Sequence, residues 1–192
     1  MQKLLIVTDI FGRGPALKPL LQALTTPERN ITLLDPYGGR EQMFATESDA
    51  YSAFITECGH DAYAAKVEST IAESAMEFEL ALGFSAGASA LWRVLATASA
   101  AAIQRAVLFY PGQIHQHLAL QPRVPVSLIF GQTEPHFQVA ALCQQLAGKV
   151  GVTTHISPYQ HGFINPASSA FSVEGAREYL TALWLGLAVT AT

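Results

Sequence analysis

Apolar residues run along this chain in two rhythms. A short unbroken apolar run closes on polar residues and a glycine in "KLLIVTDI", and "NITLLDPYGG", "FELALGFS", "RAVLFYPG", "VPVSLIFG" and "VTTHISPY" read as five further strands. Runs of this kind suit parallel strands buried on both faces. Between them the spacing turns helical. Leu17, Leu20, Leu21 and Leu24 mark a helix within 14–26, and residues 41–75 read as helical with an interruption at Gly59. An Ala-rich helix is predicted over 86–102, another over roughly 136–148, and an amphipathic one over about 171–187. Strands that alternate with helices are joined by right-handed crossovers. The expected fold class is therefore α/β, with a single, mostly parallel sheet of about six strands and helices on both faces. No Gly, Ser or Pro linker interrupts the pattern, so residues 1–192 read as one domain.

In such sheets ligands sit beyond the carboxyl ends of the strands. Six segments follow strands here: Asp9–Gly12, Asp35–Arg40, Gly83–Gly87, Tyr110–Gln113, Gly131–His136 and Tyr159–Phe163. They are expected to meet on one edge, and the chemistry is sought there.

Gly83-Phe84-Ser85-Ala86-Gly87 reads G-x-S-x-G between a strand and a helix, the context of a nucleophile elbow. The flanking glycines let strand and helix approach closely around a strained serine. The Ala86 N–H, at the helix start, is then aimed at a developing oxyanion. The plainer reading is a tight turn with a small serine. A nucleophilic serine needs a base, and the base an orienting acid. After Ser85 there is no Asp, and the carboxylates are Glu134, Glu174 and Glu178. The last two lie beyond every histidine, so only Glu134, in "FGQTEPHF", fits the order serine, acid, histidine. Five histidines follow Ser85. His155 lies within a strand, His115 and His117 form an H-x-H pair in a polar loop with no third metal ligand nearby, and His136 precedes the sixth strand. His161, in "SPYQHGF", stands after it, where the base belongs. "ECGHD" offers a rival pair in Cys58 and His60, but neighbours two apart on a helix point to different sides, so a helix break at Gly59 is the preferred reading.

Charge narrows the partners. The net charge is −4 with only 14% charged residues and no basic patch, which argues against nucleic acid. No stretch of membrane-spanning length is free of charge. "MQKLLIVTDIFG" lacks the pattern of a signal peptide, and Cys58 and Cys143 form no spaced framework. A cytoplasmic protein with free thiols is expected. Oligomeric state is not encoded in any feature of the sequence.

With these segments in hand, the chain resembles the dienelactone hydrolase-like family of α/β-hydrolases. The likeness runs from "LLIVTDIFG" through "GFSAGASA" and "VSLIFGQTEP" to "QHGF". The namesake enzyme carries Cys where Ser85 stands, and the usual acid is Asp where Glu134 stands. The resemblance implies a compact α/β-hydrolase fold, with the backbone of Ile10 or Phe11 as second oxyanion donor. It also implies a carboxylate at Asp9 that contacts the nucleophile when the site is empty; the alternative is an Asp that stabilises the "FGRG" turn. Tyr110 and His136 fall in edge loops as candidate substrate-binding residues. Arg40, in "DPYGGR", is either a clamp for a substrate carboxylate or a solvated loop residue. The expected activity is cleavage of a small-molecule ester, lactone or thioester by Ser85, Glu134 and His161, with no metal or organic cofactor. The alternatives are an acyltransferase on the same scaffold and a non-catalytic binding protein that keeps a degenerate site.

Overall fold

Every apolar run becomes a strand. The computed structural model describes residues 2–74 and 77–184. The strands are β1 (Gln2–Val7), β2 (Arg29–Leu34), β3 (Leu80–Phe84), β4 (Ala106–Phe109), β5 (Val126–Phe130) and β6 (Val152–Ile156). They form one parallel sheet in the order β2-β1-β3-β4-β5-β6. The order reverses after β2: the chain returns past β1 to β3 and then winds outward. Central β3 and β4 are almost wholly buried, whereas edge strand β6 has no fully buried position.

Among the described residues six α-helices cover both faces: α1 (Lys18–Leu24), α2 (Glu47–Glu57), α3 (Gly59–Glu73), α4 (Ala86–Val94), α5 (Val139–Leu146) and α6 (Val173–Trp184). Successive strand residues point to opposite faces. Leu5 and Val7 of β1 accordingly pack with Phe54, Val67, Leu91 and Leu142 from α2, α3, α4 and α5. Leu4 and Ile6 pack on the other side with Leu20, Leu24, Tyr179 and Leu183 from α1 and α6. The part of the last predicted helix beyond residue 184 lies outside the described residues.

Three predicted helices are shorter than their periodicity, each for a local reason. The stretch predicted from 41 begins at Glu47, because Thr46 caps it. The Thr46 hydroxyl accepts from the Asp49 N–H at 3.1 Å, and the Asp49 carboxylate accepts from the Thr46 N–H at 3.1 Å, a reciprocal capping box. The Ala-rich helix stops at Val94. The Thr97 hydroxyl donates to the Val94 carbonyl and accepts from the Ser99 N–H, a local alternative to helical bonding, and only a 3-10 turn over Ala98–Ala102 follows. The helix predicted from 136 begins at Val139, because Glu134 and Phe137 pair in a small antiparallel bridge.

The contact that seats α4 is backbone on backbone. A Cβ added at Gly87 would stand 2.5 Å from the Val7 carbonyl oxygen and closer still to that of Thr8, and one at Gly83 would stand 2.7 Å from the Ala88 Cα. Neither obstacle is a side chain that can swing away. Gly87→Ala is expected to lower stability by about 1–3 kcal/mol, read as a fall in the urea midpoint; an unchanged midpoint would show that α4 shifts freely on the sheet.

Candidate active site

The turn between β3 and α4 places Ser85 at φ 48°, ψ −110°, a strained geometry for a residue with a side chain. The turn is held on both sides: the Ser85 N–H donates to the Phe109 carbonyl at 3.0 Å, and the Ser85 carbonyl accepts from the Ser89 N–H and hydroxyl at 3.0 and 3.1 Å. The result lifts the Ser85 hydroxyl above the carboxyl ends of the strands.

His161 and Glu134 come to it from the neighbouring loops. Ser85 Oγ lies 2.9 Å from His161 Nε2, and His161 Nδ1 lies 2.6 Å from Glu134 Oε2. The second Glu134 oxygen accepts from the Gly131 N–H at 3.2 Å, and the Glu134 side chain is fully buried. A carboxylate accepts only, so the network assigns a proton to Nδ1 and leaves Nε2 free to accept from the serine. Tyr110 packs its ring against the imidazole, with centroids 4.8 Å apart. Sequence order thus brings Ser85, Glu134 and His161 together from three separate strand ends.

The two candidate oxyanion donors after β1 divide. The Phe11 N–H donates to Asp9 Oδ1 at 3.0 Å and is consumed. The Ile10 N–H makes no hydrogen bond among the described residues, and Ile10 lines the cavity over Ser85. Its carbonyl is pinned by the Tyr37 hydroxyl at 2.6 Å. Ala86 opens α4, where first-turn N–H groups have no helical partner, and it lines the same cavity.

Asp9 does not touch the nucleophile. Its second oxygen accepts from the Asn165 amide at 2.6 Å, so both oxygens are engaged away from Ser85. Burial pushes this carboxyl up to about 6; the Asn165 and Phe11 donors and the nearby His161 pull it back, and Glu47 pushes it further up. Asp9 therefore closes the turn after β1 and ties it to the loop before α6. This combines the turn role considered from sequence with a link to a distant segment.

Two further candidates fall outside the cavity. Arg40 is ion-paired with Glu57 and also donates to the Tyr37 carbonyl, so its guanidinium is engaged on the outer surface rather than at the nucleophile. Tyr110 is completely buried behind His161, and burial pushes its phenol well above the ordinary range; it supports the imidazole instead of lining the binding space. His136 does line the cavity, with its ring 6.2 Å from that of His115. Among the described residues no cluster of His, Cys, Asp and Glu could hold a metal ion, and no helix is long and apolar enough to cross a membrane.

The cavity measures about 550 Å³, the size of a small-molecule site. Sequence reasoning missed several of its walls. Glu47, Ser48 and Tyr51 come from α2, His60 from the start of α3, and Ser89 from the second turn of α4. Ser89 was within reach of helical spacing, four residues past Ser85. The α2 residues follow no strand end, and only the Thr46–Asp49 capping signal marks where their helix begins.

Comparison with known proteins places the chain in a family and a fold. The profile of the dienelactone hydrolase family matches residues 6–183. An uncharacterized protein of Bacillus subtilis (strain 168), YczH, is 34% identical over 110 residues, which cover 55% of this chain and 52% of that protein. The match thus spans about half the length of that relative. A dienelactone hydrolase-like promiscuous phosphotriesterase from metagenomic libraries superposes with a TM-score of 0.67 at 15% identity, over 95% of this chain and 84% of that one. The carboxylesterase CesB of Bacillus subtilis does so with a TM-score of 0.62 at 13% identity, over 96% and 84%. At such identities the likeness is one of fold.

The Asp9 carboxyl gives a prediction with a definite sign. In the unfolded chain it takes up its proton near 3.8, in the fold near 6. Between those values the folded state binds more protons, so this group adds stability as pH falls from 7 to 4 and withdraws it as pH rises. Carbon-13 NMR of the labelled carboxyl should show a midpoint near 6. Asn165→Ala removes a donor that favours the charged form, so the midpoint should move higher. A midpoint near 4 in the native protein would contradict the burial described.

Proposed function

The chain belongs to the dienelactone hydrolase family, and on that premise we propose that it is a serine hydrolase cleaving an ester, lactone or thioester of a small molecule. The observation that carries this reading is the continuous hydrogen-bonded chain from Ser85 Oγ through both nitrogens of His161 to the buried Glu134 carboxylate.

In the proposed reaction the substrate carbonyl enters the cavity over Ser85. As Oγ attacks the carbonyl carbon, its proton passes to His161 Nε2. Glu134 keeps hold of the Nδ1 proton and stabilises the imidazolium that forms. The carbonyl oxygen becomes an oxyanion and takes hydrogen bonds from the Ile10 and Ala86 N–H groups, donors of fixed direction in a partly enclosed space. Collapse of the tetrahedral species breaks the bond to the leaving oxygen or sulfur, which receives the Nε2 proton. Water then enters, gives its proton to His161 and attacks the acyl carbon. Ser85 leaves with that proton, and the acid product departs.

Glu in place of the family's usual Asp keeps the rival of a degenerate, non-catalytic site in view. The longer side chain still reaches Nδ1 at 2.6 Å while its other oxygen is held by the Gly131 N–H, which supports a working acid. Two free cysteines, Cys58 and Cys143, support a cytoplasmic setting, and a small-molecule ester or lactone is the proposed partner. Neutral acceptor alcohols added to the assay separate hydrolysis from acyl transfer by the product that accumulates.

Ser85→Ala and His161→Ala are each expected to lower kcat on an activated ester by roughly 10³-fold or more, with the double variant no worse than either. Glu134→Gln should cost on the order of 10³–10⁴ by upsetting the imidazole tautomer. A fluorophosphonate probe should label Ser85 covalently, with the site located by peptide mass spectrometry. A folded protein that the probe leaves unmodified at every pH would defeat this reading.

A further inference from the structure

The walls of the cavity carry an unequal charge. Its lining includes two carboxylates, Glu47 and Glu134, and no lysine or arginine. A third carboxylate, Asp9, lies close enough for Glu47 to act on its charge. Four cations near this side of the fold are engaged outside the cavity. Arg13 is paired with Asp35 at 2.7 Å, Arg40 with Glu57, and Arg93 with Asp61 at 2.8 Å, while Lys66 donates to the Asp35 carbonyl at 2.9 Å. His60, on one wall, is held below its ordinary range by burial and by the Arg93 charge, so it adds no positive charge near neutrality. A cavity with low-dielectric walls and one sign of charge concentrates that field and attracts the opposite ion.

The carboxylates differ in availability. Glu134 is buried on His161 and Asp9 is buried on Asn165. Glu47 stands exposed at the rim, and among the described residues the one side-chain hydrogen bond its carboxylate accepts is from the Ser169 hydroxyl, at 3.3 Å. Tyr51 lies four residues further along α2, on the same side of the helix. It also lines the cavity and leaves half of its surface open. A free carboxylate beside an exposed aromatic face is the chemistry that recognises an ammonium group, by charge and by the ring quadrupole together.

We propose that the site selects an ester carrying a cationic ammonium group, which the Glu47 carboxylate and the Tyr51 ring hold at the rim while Ser85 attacks the carbonyl. This rests on the hydrolase reading above and deepens it by naming the substrate class. An anionic ester, by contrast, meets no cation in the cavity and faces Glu47 on the way in.

The test compares three butyrate esters at pH 8: butyrylcholine, its uncharged isostere 3,3-dimethylbutyl butyrate, and the anionic O-butyrylglycolate. At about 10 mM ionic strength, where screening is weak, kcat/KM should favour the cation over the isostere by about tenfold and disfavour the anion by a similar factor. Glu47→Gln should bring the cation-to-neutral ratio down to about two, and Glu47→Lys should reverse the order of cation and anion. Raising the salt to about 1 M should compress the wild-type ratio, a readout that needs no variant to fold. Equal kcat/KM for the cation and its isostere at low salt, or a ratio that Glu47→Gln leaves intact, overturns this inference alone. If none of the three esters is turned over by a protein whose Ser85 the fluorophosphonate probe labels, this inference falls and the hydrolase reading stands; if the probe also leaves Ser85 unmodified, both fall.

Discussion

The geometry of the site depends on one close approach, that of the first turn of α4 against the carbonyls at the end of β1. Gly87 lies where a single methyl group would collide with the Val7 and Thr8 carbonyl oxygens. That contact forces the chain to turn within one residue after β3, and Ser85 absorbs the turn in a backbone conformation that a side chain disfavours. The cost is met by bonds on both flanks, from Ser85 to Phe109 and from Ser89 back to Ser85. The same approach sets the proposed oxyanion pocket. It brings the N–H groups of Ile10, beyond β1, and Ala86, at the head of α4, to the cavity that Ser85 faces. A looser packing of helix on sheet would separate nucleophile and donors together.

Around that point three carboxylates do three different things because their surroundings differ. Glu134 has no access to water and two directed donors, so it is fixed as an orienting group. Asp9 is as deeply set, but it serves the backbone: it takes the Phe11 N–H out of play and leaves the Ile10 N–H as the donor facing the cavity. Glu47 faces solvent and keeps its charge open to whatever enters. Residue type alone does not distinguish these roles; burial and the count of donors on each oxygen do.

The sheet was legible because its inner strands, β1, β3 and β4, are buried on both faces and read as near-continuous apolar runs, and the strand ends named the edge where the candidate site lies. Ser85 followed from its motif, and Glu134 and His161 from chain order and scarcity, since no Asp follows the serine. What remained hidden depended on contacts between distant segments. Nothing near Asp9 in sequence announces Asn165, 156 positions away. Nothing near Arg40 announces that Glu57 claims its charge. Tyr110 stands in an edge loop by sequence, yet its ring turns inward against His161 and Phe163. Helix limits were misjudged where a single hydroxyl, on Thr46 or Thr97, ended the periodic pattern.

Ser85 and His161 stand on ground of unequal firmness. Ser85 leaves β3, which has paired neighbours on both sides, whereas His161 follows β6, the sheet's outermost strand. β6 is only half covered, with Ile156 40% exposed, and a bond from His155 to Tyr179 fastens it to α6. Edge elements open at lower free energy than the centre of a domain. Ser85 therefore stands on an element where opening is expected to cost more, and His161 beside one where it is expected to cost less. Mild heat or denaturant is expected to part His161 from Ser85 by loosening the margin of the sheet before its centre opens.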